Sequence, residues 1–359
     1  MISWACLSLL AALNTGPFLD VLSNEASVSD PGLAAVVIVD GEAVFAGARG
    51  LADIESGQAL SVDTPMYAGS LSKVFTAVVV MKLVENGDLV LDEPVDFGQP
   101  PGQDAPFNVR SLLSHASGLP REGNFGYWFS GEFPGRSHLR EYVTPLLSEV
   151  RSGGDARYSN IGYAVLGLAA EKATGRPFES LLREMVTQPL GMTETGAPGP
   201  APDIARGYSP PNRLIPSRER PFAGVGRKIG NRHLREYHDA KAMTPAFGIY
   251  TSARDLGKLA QLLIGDEHPG LLAPVTRARM RQAQDSGWGL GIGVGSVDDN
   301  RVATHSGWFA AHRSFLLLDA GNGIGVAVLA NSDDAVPARV ARALYRVALS
   351  QRESSESDK

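Results

Sequence analysis

The chain has 359 residues, of which 43% are hydrophobic and 20% charged, and it carries a formal net charge of -6. This is the composition of an ordinary globular protein and argues against a largely disordered chain. Nucleic acid is not an expected partner, because phosphate binding needs a concentrated basic patch and no run rich in Lys and Arg occurs. The single cysteine, Cys6, excludes a disulfide framework and a cysteine-ligated metal site.

Residues 1–26 contain a short apolar run of signal-peptide length, "MISWACLSLLAALNTG". No basic residue precedes Arg49, so the positively charged start of a signal peptide is missing. Two alternatives stay open: a cleaved signal peptide, which implies a periplasmic or secreted protein, or an N-terminal helix packed on the body, which leaves a cytoplasmic location. No other segment is long and apolar enough to predict a membrane span.

The next elements along the chain are a hairpin and a helix. Asp40-Gly41 joins two β-rich runs and predicts a tight turn between two strands. Apolar residues then recur at helical spacing from Leu71 to Leu83, and Asn86-Gly87 supplies a helix stop. The sheet therefore begins early in the chain, and Ser70 stands at the start of its first long helix.

Residues 92–244 predict an inserted all-helical domain, with long surface loops from about Gly196 to Thr244. A helix and two further strand runs follow, and residues 351–359 have the composition of a disordered tail. Sheet segments in residues 27–91 and 245–350 thus flank the insertion. We predict an α/β (α+β) fold in which an antiparallel sheet, formed from both chain ends and flanked by helices, carries the helical domain.

Ser70 and Lys73 are three residues apart, so on a helix they lie on one face within hydrogen-bonding reach. A lysine amine can activate a serine hydroxyl if burial or a cationic neighbour lowers the pKa of the amine. The helix start adds backbone N–H groups that favour an oxyanion beside Ser70. Because this spacing is common by chance, Ser70 as a helix cap and Lys73 as a solvated residue remain the alternative.

Tyr158-Ser159-Asn160 precedes a second helical pattern. Tyr158 would relay protons if a nearby ammonium depressed its pKa from about 10. Asn160 carries both an amide donor and an acceptor, which suit a substrate amide or ester. The alternative is that Ser159 or Asn160 only caps the helix.

His305-Ser306-Gly307-Trp308 lies on a predicted strand. Gly307 would let a ligand backbone approach closely, and the strand edge could pair with an extended substrate and donate a backbone N–H to an oxyanion. The alternative for His305 is a packed core histidine.

The order S-x-x-K, Y-S-N and H-x-G resembles the serine β-lactamase and penicillin-binding-protein superfamily. The stretches "SLLSHASGLP", "YSNIGYAVLGLAAEKATGRPFESLLREMVTQPLGM" and "PAFGIYTSARDLGKLAQLL" resemble its class C β-lactamase, D-alanyl-D-alanine-peptidase and carboxylesterase branch. The resemblance covers roughly residues 30 to 345.

The resemblance implies a role for each matching residue. Ser70 would be the acylated nucleophile, Lys73 would activate it, and Tyr158 would act as general base and acid. Asn160 would orient the substrate together with His305, Ser306 and Gly307, and the backbone N–H groups of Ser70 and Trp308 would form the oxyanion hole. No metal or cofactor is implied.

The sequence departs from the family pattern at His305, where β-lactamases of this branch carry the lysine of K-T-G. A histidine of ordinary pKa is mostly neutral at pH 7, so carboxylate recognition should be weaker. We therefore expect a serine hydrolase of small esters, amides or D-amino-acid peptides. A β-lactamase proper, a penicillin-binding sensor with negligible turnover and an acyltransferase stay open, as does the oligomeric state.

Overall fold

The computed structural model describes residues 14–123, 126–150, 156–197, 203–210, 225–235, 239–265 and 270–357. Its strands are β1 (Leu33–Val39), β2 (Glu42–Arg49), β3 (Leu51–Asp53), β4 (Gln58–Ala59), β5 (Met66–Tyr67), β6 (Gly207–Ser209), β7 (Val225–Ile229), β8 (Arg232–Arg235), β9 (Tyr250–Thr251), β10 (Gly293–Val297), β11 (Asn300–Phe309), β12 (His312–Asp319) and β13 (Ile324–Ala330). Its α-helices are α1 (Gly16–Glu25), α2 (Ser72–Asn86), α3 (Val109–Leu113), α4 (Tyr127–Ser130), α5 (Arg136–Leu146), α6 (Asn160–Thr174), α7 (Phe178–Leu182), α8 (Ala253–Ile264), α9 (Pro274–Met280) and α10 (Pro337–Ser357).

The main sheet has six antiparallel strands in the order β10-β11-β12-β13-β1-β2. The N-terminal strand β1 pairs with β13 near the C-terminus, with Leu33 opposite Ala330 and Val39 opposite Ile324. The predicted antiparallel sheet formed from both chain ends is therefore confirmed.

Helices cover both faces of this sheet, which explains the uninterrupted apolar run of β1. Ala34, Val36 and Ile38 contribute to a core shared with α2, α6 and α8. Alternate residues such as Val37 lie in a second core with α1 and α10. All seven residues of β1 are buried, as expected for a strand covered on two sides.

The predicted hairpin and first long helix are both confirmed. Asp40 and Gly41 adopt φ angles of 49° and 82°, which a two-residue turn between β1 and β2 requires. Helix α2 ends at Asn86, and Gly87 follows in the left-handed conformation typical of a helix C-terminus.

The insertion, residues 92–244, contains α3 to α7 but is not all helical. The segment predicted as long loops includes a three-stranded antiparallel sheet in the order β6-β8-β7. Tyr208 of β6 bridges to Ser332 just beyond β13, so this small sheet is joined to the main sheet. Short strands rich in Arg and Gly lack a clear apolar alternation, and the sequence pattern therefore missed them.

At the N-terminus the structure shows a packed helix, one of the two predicted alternatives, and at the C-terminus it differs from expectation. Helix α1 packs on the body through Phe18 and Leu22, and the Phe18 ring stacks on Phe45 with the centroids 5.2 Å apart. Residues 1–13, on which the signal-peptide alternative depends, lie outside the described residues. Helix α10 continues through Ser357, so the predicted disordered tail from residue 351 is wrong for most of its length.

Within the described ranges, no helix combines the length and the apolar character needed to cross a bilayer.

Candidate active site

Ser70 lies in a 3₁₀ turn, Gly69–Leu71, immediately before α2. Helix α2 begins at Ser72, so Ser70 is not its N-cap. Two glycines let β11 approach this turn. A Cβ on Gly69, whose φ is +55°, would lie 2.3 Å from the Trp308 nitrogen, and one on Gly307 would lie 1.9 Å from the Ala68 oxygen. The backbones of Ser70 and Trp308 therefore lie side by side.

Lys73 is fully buried in the first turn of α2, which contradicts the alternative of a solvated residue. Its Nζ lies 3.4 Å from Ser70 Oγ, 2.6 Å from Asn160 Oδ1 and 2.7 Å from the Ala246 carbonyl oxygen. An ammonium donates to all three oxygens. A neutral amine donates to the two carbonyl oxygens, and its lone pair then accepts the hydrogen bond of the Ser70 hydroxyl.

The electrostatics favour the neutral amine. Burial lowers the pKa of Lys73 well below its usual value, and the charge of Arg121 lowers it further, while the carboxylate of Glu122 opposes both effects. The burial expected from the sequence is therefore present.

The Ala246 carbonyl is supplied by a π-helical turn, Thr244–Gly248. The same segment holds α2 at two further points: Thr76 Oγ1 donates to the Pro245 carbonyl at 2.7 Å, and the Ile249 N–H donates to Ser72 Oγ at 3.0 Å. Such turns leave the regular α-helical ladder and make carbonyls available to side chains. The sequence pattern "PAFG" gave no sign of this contact.

Tyr158 is partly buried and lines one cleft together with Ser70. Lys73 Nζ lies over the ring face, 4.8 Å from the centroid, and the Arg121 guanidinium carbon lies 5.3 Å from it. Burial raises the pKa of Tyr158 to about 12. The depressed pKa on which the predicted proton relay depended is therefore wrong, because desolvation outweighs the lowering effects of Ser70 and of the Arg121 charge.

Ser159 caps α6, since its Oγ accepts from the Gly162 N–H at 2.8 Å. Asn160 begins the helix and is buried, with both ends of its amide engaged. Its Oδ1 accepts from Lys73, and its Nδ2 donates to Glu122 Oε1 at 2.6 Å. The predicted contact of Asn160 with substrate stays a prediction, since the structure engages its amide within the protein.

His305 lines the same cleft on β11. The residue is 5% exposed, and its Nδ1 lies 2.8 Å from the Ser306 carbonyl oxygen. Among the described residues, the buried Nε2 has no hydrogen-bond partner. Burial and the charge of Lys73 lower the pKa of His305 from 6.5 to about 3. The ring is therefore neutral at physiological pH, as the sequence suggested, and its pKa lies further below pH 7 than that of an ordinary histidine.

Strand β10 pairs with β11 only from Gly293↔Thr304 to Val297↔Asn300. Residues 305–309 extend beyond this ladder, and Ser306 is exposed. The cleft there has a volume of about 740 Å³ and is lined by Ser70, Tyr158, His305, Ser306, Gly307 and Trp308, among others. The structure thus brings the predicted catalytic and strand residues together around one opening, with Lys73 and Asn160 buried behind it.

Sequence reasoning missed several residues that shape this site. His115 accepts the Ser159 N–H on Nδ1 at 3.2 Å, and its ring centroid lies 4.4 Å from that of Tyr158. Trp288 packs edge-on against His115, with the centroids 4.7 Å apart. The stretch that contains His115 carries part of the family resemblance, and the stretch that contains Trp288 does not. Nothing in either local pattern indicated that the two rings meet at Tyr158.

The fold and this constellation are those of a serine hydrolase. A family model described as Beta-lactamase matches residues 23–350, so the chain belongs to the β-lactamase family.

Among individual proteins, the chain is similar to esterase EstB of Burkholderia gladioli, at 28% identity over 346 residues, covering 84% of this chain and 86% of the esterase. It is 30% identical over 201 residues to the D-alanyl-D-alanine-carboxypeptidase/endopeptidase AmpH of Escherichia coli K12, covering about half of each protein, 51%. The fold is similar to that of D-amino acid amidase from Ochrobactrum anthropi SV3 complexed with D-phenylalanine, with a TM-score of 0.77 at 21% identity, covering 96% of this chain and 99% of the amidase.

Proposed function

We propose that Ser70 forms an acyl-enzyme with small esters, amides or D-amino-acid peptides and transfers the acyl group to water. The observation that carries this proposal is the buried amine of Lys73, 3.4 Å from Ser70 Oγ and held by two carbonyl oxygens. Those two acceptors take the two N–H groups of a neutral amine, and its lone pair is directed to the serine hydroxyl.

In acylation, Ser70 Oγ attacks the substrate carbonyl while its proton passes to Lys73 Nζ. The new C–O bond gives a tetrahedral intermediate, whose oxyanion is received by the backbone N–H groups of Ser70 and Trp308. When the intermediate collapses, the bond to the leaving group breaks. Tyr158, a neutral phenol with a pKa raised to about 12, donates its proton to that leaving group and is reprotonated from Lys73.

Deacylation repeats these steps with water as the nucleophile. Water loses its proton to the neutral Lys73 amine, directly or through the Tyr158 hydroxyl, and attacks the acyl carbonyl. Ser70 Oγ then leaves and regains a proton from Lys73. No carboxylate is required for this step, because Lys73 and Tyr158 act in both halves of the reaction.

Neutral esters are the substrates we favour. The neutral His305 ring supplies no fixed positive charge at this position of the cleft to bind a substrate carboxylate. The cationic side chains that line the cleft, Arg121 and Arg313, lie at other positions. The esterase that matches most of this chain supports the same choice. D-amino-acid amides and peptides are the second candidate, supported by the AmpH similarity and by the part of β11 that lies beyond its ladder with β10, along which an extended peptide can add as a strand.

The test is steady-state release of p-nitrophenol from short acyl esters, with D-alanyl peptides and a chromogenic cephalosporin measured in parallel. We expect ester turnover to exceed cephalosporin turnover and to be lost in Ser70→Ala. Ester turnover unchanged in Ser70→Ala would overturn the nucleophile assignment. A stable penicilloyl adduct without turnover would indicate a sensor, and acyl transfer to an added amine or alcohol in preference to water would indicate an acyltransferase.

A further inference from the structure

Glu122 lies behind the cleft, between the loop that follows α3 and the start of α4. Its carboxylate accepts the Asn160 Nδ2 hydrogen bond at 2.6 Å, and the Asn160 Oδ1 accepts from Lys73 Nζ at 2.6 Å. A continuous chain of two short hydrogen bonds thus joins Glu122 to the base proposed above. This chain of contacts depends on no substrate.

The direction of the chain matters because an amide has two different ends. An ionised carboxylate only accepts hydrogen bonds, so it can bind the NH₂ end of Asn160 but not its oxygen. The oxygen is thereby turned toward Lys73. If the Asn160 amide were reversed, its NH₂ group would face the Lys73 amine and could not accept a hydrogen bond from it. The Asn160 oxygen would then face the Glu122 carboxylate, another acceptor.

Glu122 is itself held in place from two sides. The Tyr127 hydroxyl at the start of α4 donates to its carboxylate, and Arg121 Nε lies 3.3 Å from Oε1. Tyr127 is 1% exposed and packs against Phe133 with the ring centroids 4.9 Å apart. The carboxylate therefore has a fixed position, and its side chain is only 23% exposed, so its charge is incompletely screened.

The charge of Glu122 opposes the effects of burial and of the Arg121 charge on the pKa of Lys73. Burial and the cation of Arg121 disfavour the ammonium, and Glu122 favours it. Tyr158 and Tyr163 present ring faces to Nζ at 4.8 and 5.5 Å. The His115 and His305 rings, whose pKa values are lowered by burial and by the charge of Lys73, are neutral. Among the groups acting on Lys73, Glu122 supplies the opposing negative charge.

We propose that Glu122 is a positioning residue that orients the Asn160 amide toward Lys73 and, by its charge, keeps that amine basic enough to take the Ser70 proton. This role rests on the proposed function. Because a base acts only when unprotonated, activity falls as the pH drops below the pKa of Lys73. Without the carboxylate the ammonium loses a stabilising charge, so the pKa of Lys73 falls further. The acid limb, the fall of activity on the acidic side of the pH profile, then moves to lower pH.

The test is the rate of Ser70 labelling by a fluorophosphonate probe, followed by mass spectrometry as a function of pH, so that no substrate need be known. In Glu122→Gln, whose side-chain oxygen can still accept from Asn160, we expect the acid limb to move to lower pH by on the order of one pH unit, with the plateau rate within a few-fold of wild type. In Glu122→Ala, which also releases the amide, we expect the plateau to fall about 10- to 100-fold.

Glu171→Gln is the matched control. Glu171 lies on the same helix as Asn160, but its carboxylate pairs with Arg136 at 2.6 Å, and it has no contact with Lys73 among the hydrogen bonds described for the structure. Its removal should leave the acid limb unmoved. If Ser70 of Glu122→Gln is still labelled and the acid limb is unchanged or moves to higher pH, the proposal is overturned. Absence of Ser70 labelling in the wild type would instead count against the proposed function and, with it, the role of Glu122.

Discussion

Lys73, buried behind the cleft, and Ser306, in the lining of the cleft, differ in nearly every physical respect. Lys73, on the helical wall formed by α2, α6 and the π-helical turn, is fully buried and touches three oxygen atoms. Ser306, on the strand wall formed by residues 305–308 of β11, is exposed and lies beyond the ladder with β10. In the proposed mechanism the helical wall controls one proton, whereas the strand wall offers backbone groups and little charge to a substrate.

This difference predicts that substitutions on the helical wall reduce the reaction itself, with little dependence on which acyl group is used. Substitutions on the strand wall should alter the approach of the substrate and the stabilisation of the oxyanion. Four substitutions test this contrast.

The largest effect is expected for Lys73→Ala. Removal of the base should lower ester turnover by on the order of 10³-fold, because Ser70 then has no group to take its proton. Circular dichroism should show a native fold. A variant that retains more than a tenth of wild-type turnover, or one that is globally unfolded, would indicate that Lys73 is a structural residue.

Tyr158→Phe should lower turnover by about 10²-fold for amides and much less for p-nitrophenyl esters. The reason is that p-nitrophenolate leaves without protonation, whereas an amine does not, and Tyr158 is the proposed proton donor. The ratio of kcat/KM for the two leaving groups, measured in the variant and in the wild type, gives the result. Equal losses for both substrates would place Tyr158 in the activation of Ser70 rather than in protonation of the leaving group.

On the strand wall, Gly307→Ala should lower kcat about 10- to 100-fold. The added methyl would meet the Ala68 oxygen at 1.9 Å and push β11 away from the Ser70 turn, which misplaces the Trp308 N–H. Gly295→Ala on β10 is the control, because a Cβ there would have no atom within 4 Å. Equal activity of the two variants would show that close approach of β11 is not needed.

The smallest effect concerns stability. The pKa of His305 is lowered from 6.5 to about 3 in the fold, so below pH 6.5 the unfolded chain binds a proton that the folded protein does not. Stability that is fully present above pH 6.5 is therefore lost as the pH falls toward 3. His305→Gln has no histidine at this position to protonate. As the pH is lowered from 6.5 to 3, its Tm should fall less steeply than the wild-type Tm, with slopes that differ by about 2–4 °C per pH unit. Parallel Tm curves would show that His305 protonates freely in the fold.

Much of the fold was predictable because it depends on local patterns. The Asp40-Gly41 turn, the apolar periodicity of α2 and the burial of β1 are each encoded within a few neighbouring residues. The strands β6 to β8 were not predictable, since their short runs carry no apolar alternation and are held by pairing with distant segments.

The site divides in the same way. The spacing of Ser70 and Lys73 could be read from the helix period, but the Ala246 carbonyl and Glu122 come from segments whose positions only tertiary packing determines. The pKa of Tyr158 was mispredicted because the sequence shows nearby cations but not the degree of burial. The pKa values that burial determines could therefore be obtained only from the structure.

The most direct test of the account is the identity of the acylated residue. After brief reaction with a p-nitrophenyl ester and an acid quench, peptide mass spectrometry should find the acyl group on Ser70 in the wild type and no such peptide in Lys73→Ala treated alike. An acyl group on any other side chain, or full Ser70 acylation without Lys73, would contradict the claim that the buried amine activates this serine.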